Sequence, residues 1–144
     1  MKLEGCEEIN KDINALWQFL SAPDEIMPCF PGVVSYSFEG NIIKAKVKQG
    51  IGFIKGTFDV SIKIIENDVV NKKAILNIEG TGSLGNFTSN VQIYVANEGS
   101  RKLCYAADYQ IGGMLGTVSS AVINNTVKKI IKDFLDCAIN KLST

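Results

Sequence analysis

The chain has 144 residues, 46% hydrophobic and 21% charged, with zero formal net charge and no histidine. That length suits a single domain over 1–144, and the composition excludes a disordered chain. Neutral charge leaves no engine for nucleic-acid binding. The missing histidine removes Ser-His and Cys-His nucleophile pairs, imidazole acid–base chemistry and the usual zinc and iron ligand sets.

The only arginine is Arg101, beside an expected turn, and it reads as a solvated charge. Cys6, Cys29, Cys104 and Cys137 form no C-x-x-C pair. They read as scattered small apolar residues of a reducing compartment, because spacing alone shows no proximity that would permit a disulfide. Lys2, Glu4, Glu7 and Glu8 interrupt any secretory pattern, and no apolar run is long enough to span a bilayer. The expectation is a cytoplasmic protein, at most peripheral to the inner face of the membrane.

In chain order, residues 2–9 predict a short strand. Ile13, Leu16, Trp17 and Leu20 then share one helical face, with Asn10 or Asp12 as the cap. Trp17 is expected in the core. Pro23 opens a second short helix to about Cys29, and Pro31-Gly32 turns the chain. From Val33 to Ile111 six strands follow one another. Hairpin turns are expected at Glu39-Gly40-Asn41, Glu66-Asn67-Asp68 and Asn97-Glu98-Gly99-Ser100. Lys44, Lys46 and Lys48 alternate with Ala45 and Val47. Phe58, Val60, Ile62 and Ile64 alternate with polar residues, and Leu103, Tyr105, Ala107, Tyr109 and Ile111 share a face. Such a meander has one buried face and needs a cover. Val127, Ile130, Ile131, Phe134, Leu135, Ala138 and Leu142 supply it as the stripe of a long C-terminal helix. The fold class is therefore α+β, with a seven-stranded antiparallel sheet under that helix.

Gly80-Thr81-Gly82-Ser83-Leu84-Gly85 matches G-x-G-x-x-G, but a strand pattern follows where a dinucleotide site needs a helix. A glycine-rich hairpin is the better reading. Asp59, Glu79 and Asp108 are strand-borne carboxylates without a convincing pair, and they read as surface charges.

Four stretches carry a family resemblance: Leu3-Glu4-Gly5 with Ala15-Leu16-Trp17; Cys29-Phe30-Pro31-Gly32; Gly50 to Phe58; and Tyr105-Ala106-Ala107-Asp108 with Gly113-Met114-Leu115-Gly116. Together, in this order, they resemble the G subunit of carbon monoxide dehydrogenase, a family of the START-like (SRPBCC) superfamily. Phe53 stands where that family often has proline. The resemblance implies a helix-grip fold: a curved sheet, two short helices after the first strand, and a long C-terminal helix over an apolar cavity. It implies no catalytic machinery and no cofactor. It implies an apolar ligand, a lipid or quinone, and an accessory, recruitment or delivery role for a molybdenum-containing dehydrogenase. The C-terminal segment that some relatives use at the membrane is not expected beyond Thr144, and membrane contact is expected to be at most peripheral.

The expected cavity residues are Met27, Phe30, Phe53, Phe58, Phe87, Tyr105, Tyr109, Met114, Leu115, Val118 and Val122. Apolar walls with a few polar groups suit a ligand pocket, and plain core packing is the competing reading for each. The small residues from Gly112 to Ala121 mark the expected open end. Two other functions fit the same sequence. One is a START-like enzyme, a cyclase or hydrolase, with a buried carboxylate beside Tyr105 or Tyr109. The other is a structural partner with a collapsed cavity. Oligomeric state is left open.

Overall fold

The computed structural model describes residues 1–97 and 99–142. Strand β1 (Lys2–Glu8) is followed by helix α1 (Ile13–Leu20) and helix α2 (Pro23–Ile26), which runs into a 3-10 turn at Met27–Cys29. Strands β2 (Val33–Glu39), β3 (Ile42–Ile51), β4 (Ile54–Asp68), β5 (Lys73–Gly82), β6 (Gly85–Ala96) and β7 (Lys102–Gly112) come next. A second 3-10 turn, Gly113–Thr117, leads into helix α3 (Ser120–Leu142). The sheet order is β1-β7-β6-β5-β4-β3-β2, antiparallel throughout, so the first strand returns to pair with the last. This is the expected helix-grip architecture.

Local chemistry explains the boundaries. The Asp12 carboxylate accepts from the Asn14 N–H and caps α1, and the Ser21 hydroxyl donates to the Trp17 carbonyl at its end. Pro23 sits in the first turn of α2, where its missing N–H costs nothing. Gly32 takes φ +83° in the turn before β2. The G-x-G-x-x-G run is a hairpin: Gly82 pairs with Gly85 across Ser83-Leu84. The Asn97 to Ser100 turn includes Glu98, which lies outside the described residues.

One turn moves. Glu66-Asn67-Asp68 is strand rather than hairpin, and β4 continues to Asp68, opposite Lys73. The Asp68 carboxylate accepts from both the main-chain N–H and the side-chain amide of Asn71, which holds the turn over the next four residues. Those hydrogen bonds keep the carboxyl below its ordinary range. Asn67 is used instead as a tertiary anchor, accepting from the Trp17 indole N–H at 3.0 Å.

The cysteines require a larger correction. All four are paired, Cys6 with Cys104 and Cys29 with Cys137. Cys6 and Cys104 lie directly opposite in the β1–β7 ladder, with Cα atoms 4.0 Å apart. Cys29 ends the turn that faces the C-terminal half of α3, where Cys137 sits on the shoulder of the apolar stripe. Residues about 100 positions apart meet only because β1 returns to β7 and α3 folds back over the sheet.

Two apolar clusters fill the concave side. One joins Ile9, Leu16, Trp17 and Leu103 to Leu135 and Ala138 of α3. The other joins the β3, β4 and β7 residues to Met27, Leu115, Val118 and Ile123. Two glycines let aromatic rings lie across the sheet. Gly5 faces Tyr105 and Gly80 faces Phe87 in register. A Cβ on Gly5 would overlap the Tyr105 ring and its hydroxyl. Gly5→Ala is therefore expected to lower stability by about 1–3 kcal/mol through overpacking. Gly116→Ala, where nothing lies within 4 Å, should stay within about 0.5 kcal/mol. Urea melts of the two variants check this.

Candidate functional site

The space between the concave sheet and the first half of α3 is where the topology could hold a ligand. Of the eleven expected residues, Met27, Phe58, Tyr105, Tyr109, Leu115 and Val118 are buried together there. Phe30 and Phe87 are half-buried against them. Phe58 and Phe87 meet edge to face at 6.3 Å, and Phe30 meets Phe134 of α3 in the same way. The other three lie outside this group. Phe53 is 73% exposed at the β3–β4 turn, Met114 is 48% exposed, and Val122 is 38% exposed.

The expected open end under Gly112 to Val122 is narrower than the small residues implied. Leu115, 1% exposed, turns inward from the 3-10 segment and reaches Gly85, where a Cβ would stand 2.8 Å from its Cγ. Gly52, at φ +62°, brings the β3–β4 turn against the start of α3, and a Cβ there would be 3.3 Å from the Cγ1 atoms of Val118 and Val122. Gly112 and Gly113 serve close approach to Asn86 and Gly85, Gly116 faces open space, and Leu115 acts as a plug.

The polar groups of the site are few. The Tyr109 hydroxyl donates to the Asn124 Oδ1 of α3, a partner that the sequence pattern did not point to. Asn124 lies one residue beyond buried Ile123, and that position on the helix was the available signal. Burial pushes the Tyr105 and Tyr109 hydroxyls above the ordinary 10.0, and the nearby Glu7 carboxylate adds to the effect on Tyr105. Both stay protonated at neutral pH. The folded chain holds these protons longer than the unfolded one. Their contribution is complete below the unfolded value, and stability should fall as pH rises from about 10 through the folded values. Denaturation at about pH 8 and about pH 11, with Tyr105→Phe/Tyr109→Phe as the comparison, reads this directly.

Among the described residues no charged side chain is buried, and Tyr105 and Tyr109, with the Trp17 indole, are the buried side chains that carry an O–H or ring N–H. Asp59, Glu79 and Asp108 are exposed, as expected. Glu7 and Asp68 are half-exposed. No group of carboxylates and cysteines among these residues is arranged to hold a metal.

Two solvent-open concavities lie elsewhere, and none of the eleven residues lines either. One, about 340 Å³, is bounded by Pro23, Phe38, Asn41, Ile43 and Ile64 beside α2. The other, about 680 Å³, lies along β2 to β5 and carries Lys46 paired with Asp59 at 3.2 Å. Their shared feature is the weakly covered strand β2.

The sequence profile of the carbon monoxide dehydrogenase G subunit (CoxG) matches residues 5–143. The chain belongs to the CoxG family. No curated protein matches it. Among solved structures, a conserved protein from Geobacillus kaustophilus is 20% identical, with TM-score 0.90 over 99% of this chain and 95% of that one. An uncharacterised protein from Rhizobium leguminosarum is 14% identical, with TM-score 0.72 over 98% and 95%. The ZhuI aromatase/cyclase from Streptomyces sp. R1128 is 9% identical, with TM-score 0.65 over 98% and 92%. At these identities the likenesses speak to the fold, and they place this CoxG family member among helix-grip proteins. No helix among the described residues is long and apolar enough to cross a membrane.

Proposed function

We propose that this CoxG family member is a non-enzymatic binding protein. It holds an apolar molecule, of the lipid or quinone class, between the sheet and α3. It serves a molybdenum-containing dehydrogenase as an accessory, recruitment or delivery factor. The family match over residues 5–143 carries the reading. The interior supports it: apolar walls, two protonated tyrosines, and no buried carboxylate among the described residues to act as acid or base. That chemistry holds a molecule better than it transforms one. Because Leu115 and Val118 fill the interior, a ligand would enter by displacing the 3-10 segment Gly113–Thr117 and the first turn of α3.

The two disulfides weigh against the reducing, cytoplasmic location expected from the sequence, and favour an oxidising compartment. Alkylation of the thiols in freshly lysed cells decides between them. For the ligand, native mass spectrometry of the chain with a short-chain quinone or a phospholipid should show a one-to-one adduct. Leu115→Trp, which enlarges the plug, should abolish it. A chain that takes up neither probe sinks the binding role. Co-purification of the tagged chain with a molybdenum dehydrogenase tests the partner separately.

A further inference from the structure

The two edges of the sheet are built differently. Strand β1 carries Lys2, Glu4, Glu7 and Glu8, the charged residues that guard an edge against pairing. Strand β2 has no charge and no proline from Val33 to Phe38, and it exposes Val34, Tyr36 and Phe38 at 57%, 40% and 45%. Tyr36 and Phe38 lie opposite Ala45 and Ile43, on the concave face, and their rings touch at 5.7 Å. Ser35 and Ser37 take the other face, opposite Lys46 and Lys44. The two-residue turn Gly40-Asn41 makes Glu39–Ile42 the closing hydrogen-bonded pair of the hairpin. By alternation, Ser37 and Ser35 bond to β3, while the N–H and C=O groups of Tyr36 and Phe38 point to the free edge.

We propose that this edge is a homodimer interface, at which two copies of β2 pair antiparallel about a twofold axis at Tyr36. The occupant follows from the sequence of the edge itself. Val34-Ser35-Tyr36-Ser37-Phe38 has the same polarity read in either direction. Twofold pairing sets Tyr36 against Tyr36 and Ser35 against Ser37, with Val34, in the irregularity at the end of the ladder, beside Phe38. Apolar residues then meet on the concave face and serines on the convex face, with no like charges opposed. The irregularity between Val33 and Ser35 ends the ladder and confines it to the stretch around Tyr36. Such a short interface fits a dimer with Kd on the order of 10 µM.

The test uses the full chain and charges at the paired serines. Sedimentation velocity over roughly a hundredfold concentration range should show the wild type passing from monomer to dimer. Ser35→Glu/Ser37→Glu and Ser35→Lys/Ser37→Lys should each remain monomeric, because every paired position then opposes like charges. Mixing the two variants should restore a dimer with the mass of the heterodimer in native mass spectrometry. The glutamate variant faces Lys46 and Lys44 within its own chain, so its fold is favoured even where the lysine variant folds poorly. In that case Tyr36→Lys replaces the lysine variant and should also be monomeric. The proposal is overturned if the wild type stays monomeric throughout, if the glutamate variant dimerises as the wild type does, or if the folded charge-reversed pair fails to associate.

Discussion

Reducing the two disulfides is expected to destabilise this protein by about 2–4 kcal/mol per bond. Cys6–Cys104 closes a separation of 98 residues and Cys29–Cys137 one of 108, so each removes much freedom from the unfolded chain. The two loops interleave. Once one bond is in place, the second closes a path roughly half as long, which trims its contribution by about 0.6 kcal/mol. Each bond joins a buried cysteine, Cys104 or Cys29, to a more accessible one, and Cys6 is more exposed than Cys137, so mild reductant should open Cys6–Cys104 first by attack at Cys6. Cys29→Ser/Cys137→Ser should release the C-terminal half of α3 from the Met27–Cys29 turn and lower Tm by roughly 10 °C. Alkylation of freshly lysed cells, followed by mass spectrometry, should leave all four cysteines unlabelled before reduction. Four labelled thiols would refute the pairing and return the chain to a reducing compartment.

Trp17→Ala is expected to cost about 3–5 kcal/mol, the range for removing a buried aromatic side chain. Trp17 is 3% exposed and lies with Leu16, Leu103, Leu135 and Ala138, where α1, β7 and α3 meet. Its indole N–H donates to Asn67, whose amide in turn donates to the Ser21 hydroxyl, so the side chain also ties the end of α1 to β4. Trp17→Phe keeps most of the apolar contact and loses the hydrogen bond, for about 1–2 kcal/mol. Urea denaturation followed by circular dichroism separates the two variants. Equal losses would assign the effect to the hydrogen bond, and a loss below about 1 kcal/mol for Trp17→Ala would mean that this cluster is not a packed core.

Much of the fold is legible in the sequence. The period-two pattern of Phe58, Val60 and Ile62 and the inward face of Leu103, Tyr105 and Tyr109 appear as written. The α3 stripe buries Leu135 and Ala138, and Trp17 is core. Strand β2 departs from the single buried face expected of the meander, because it is the sheet edge and Tyr36 and Phe38, though on the concave side, stay largely in solvent. The candidate site was half legible. An apolar residue on the right face finds the core, but Phe53, Met114 and Val122 sit on turns or at a helix start, where no periodicity sets direction.

By itself the sequence determined the element order, the sheet's inner face, the covering helix and the absence of imidazole chemistry, since each follows from local period, turn residues or composition. Only the tertiary structure decided the two cysteine pairings, the Tyr109–Asn124 and Trp17–Asn67 bonds, the Leu115 plug and the uncovered β2 edge. Each depends on groups distant in sequence being brought within bonding distance, and no local pattern encodes that distance.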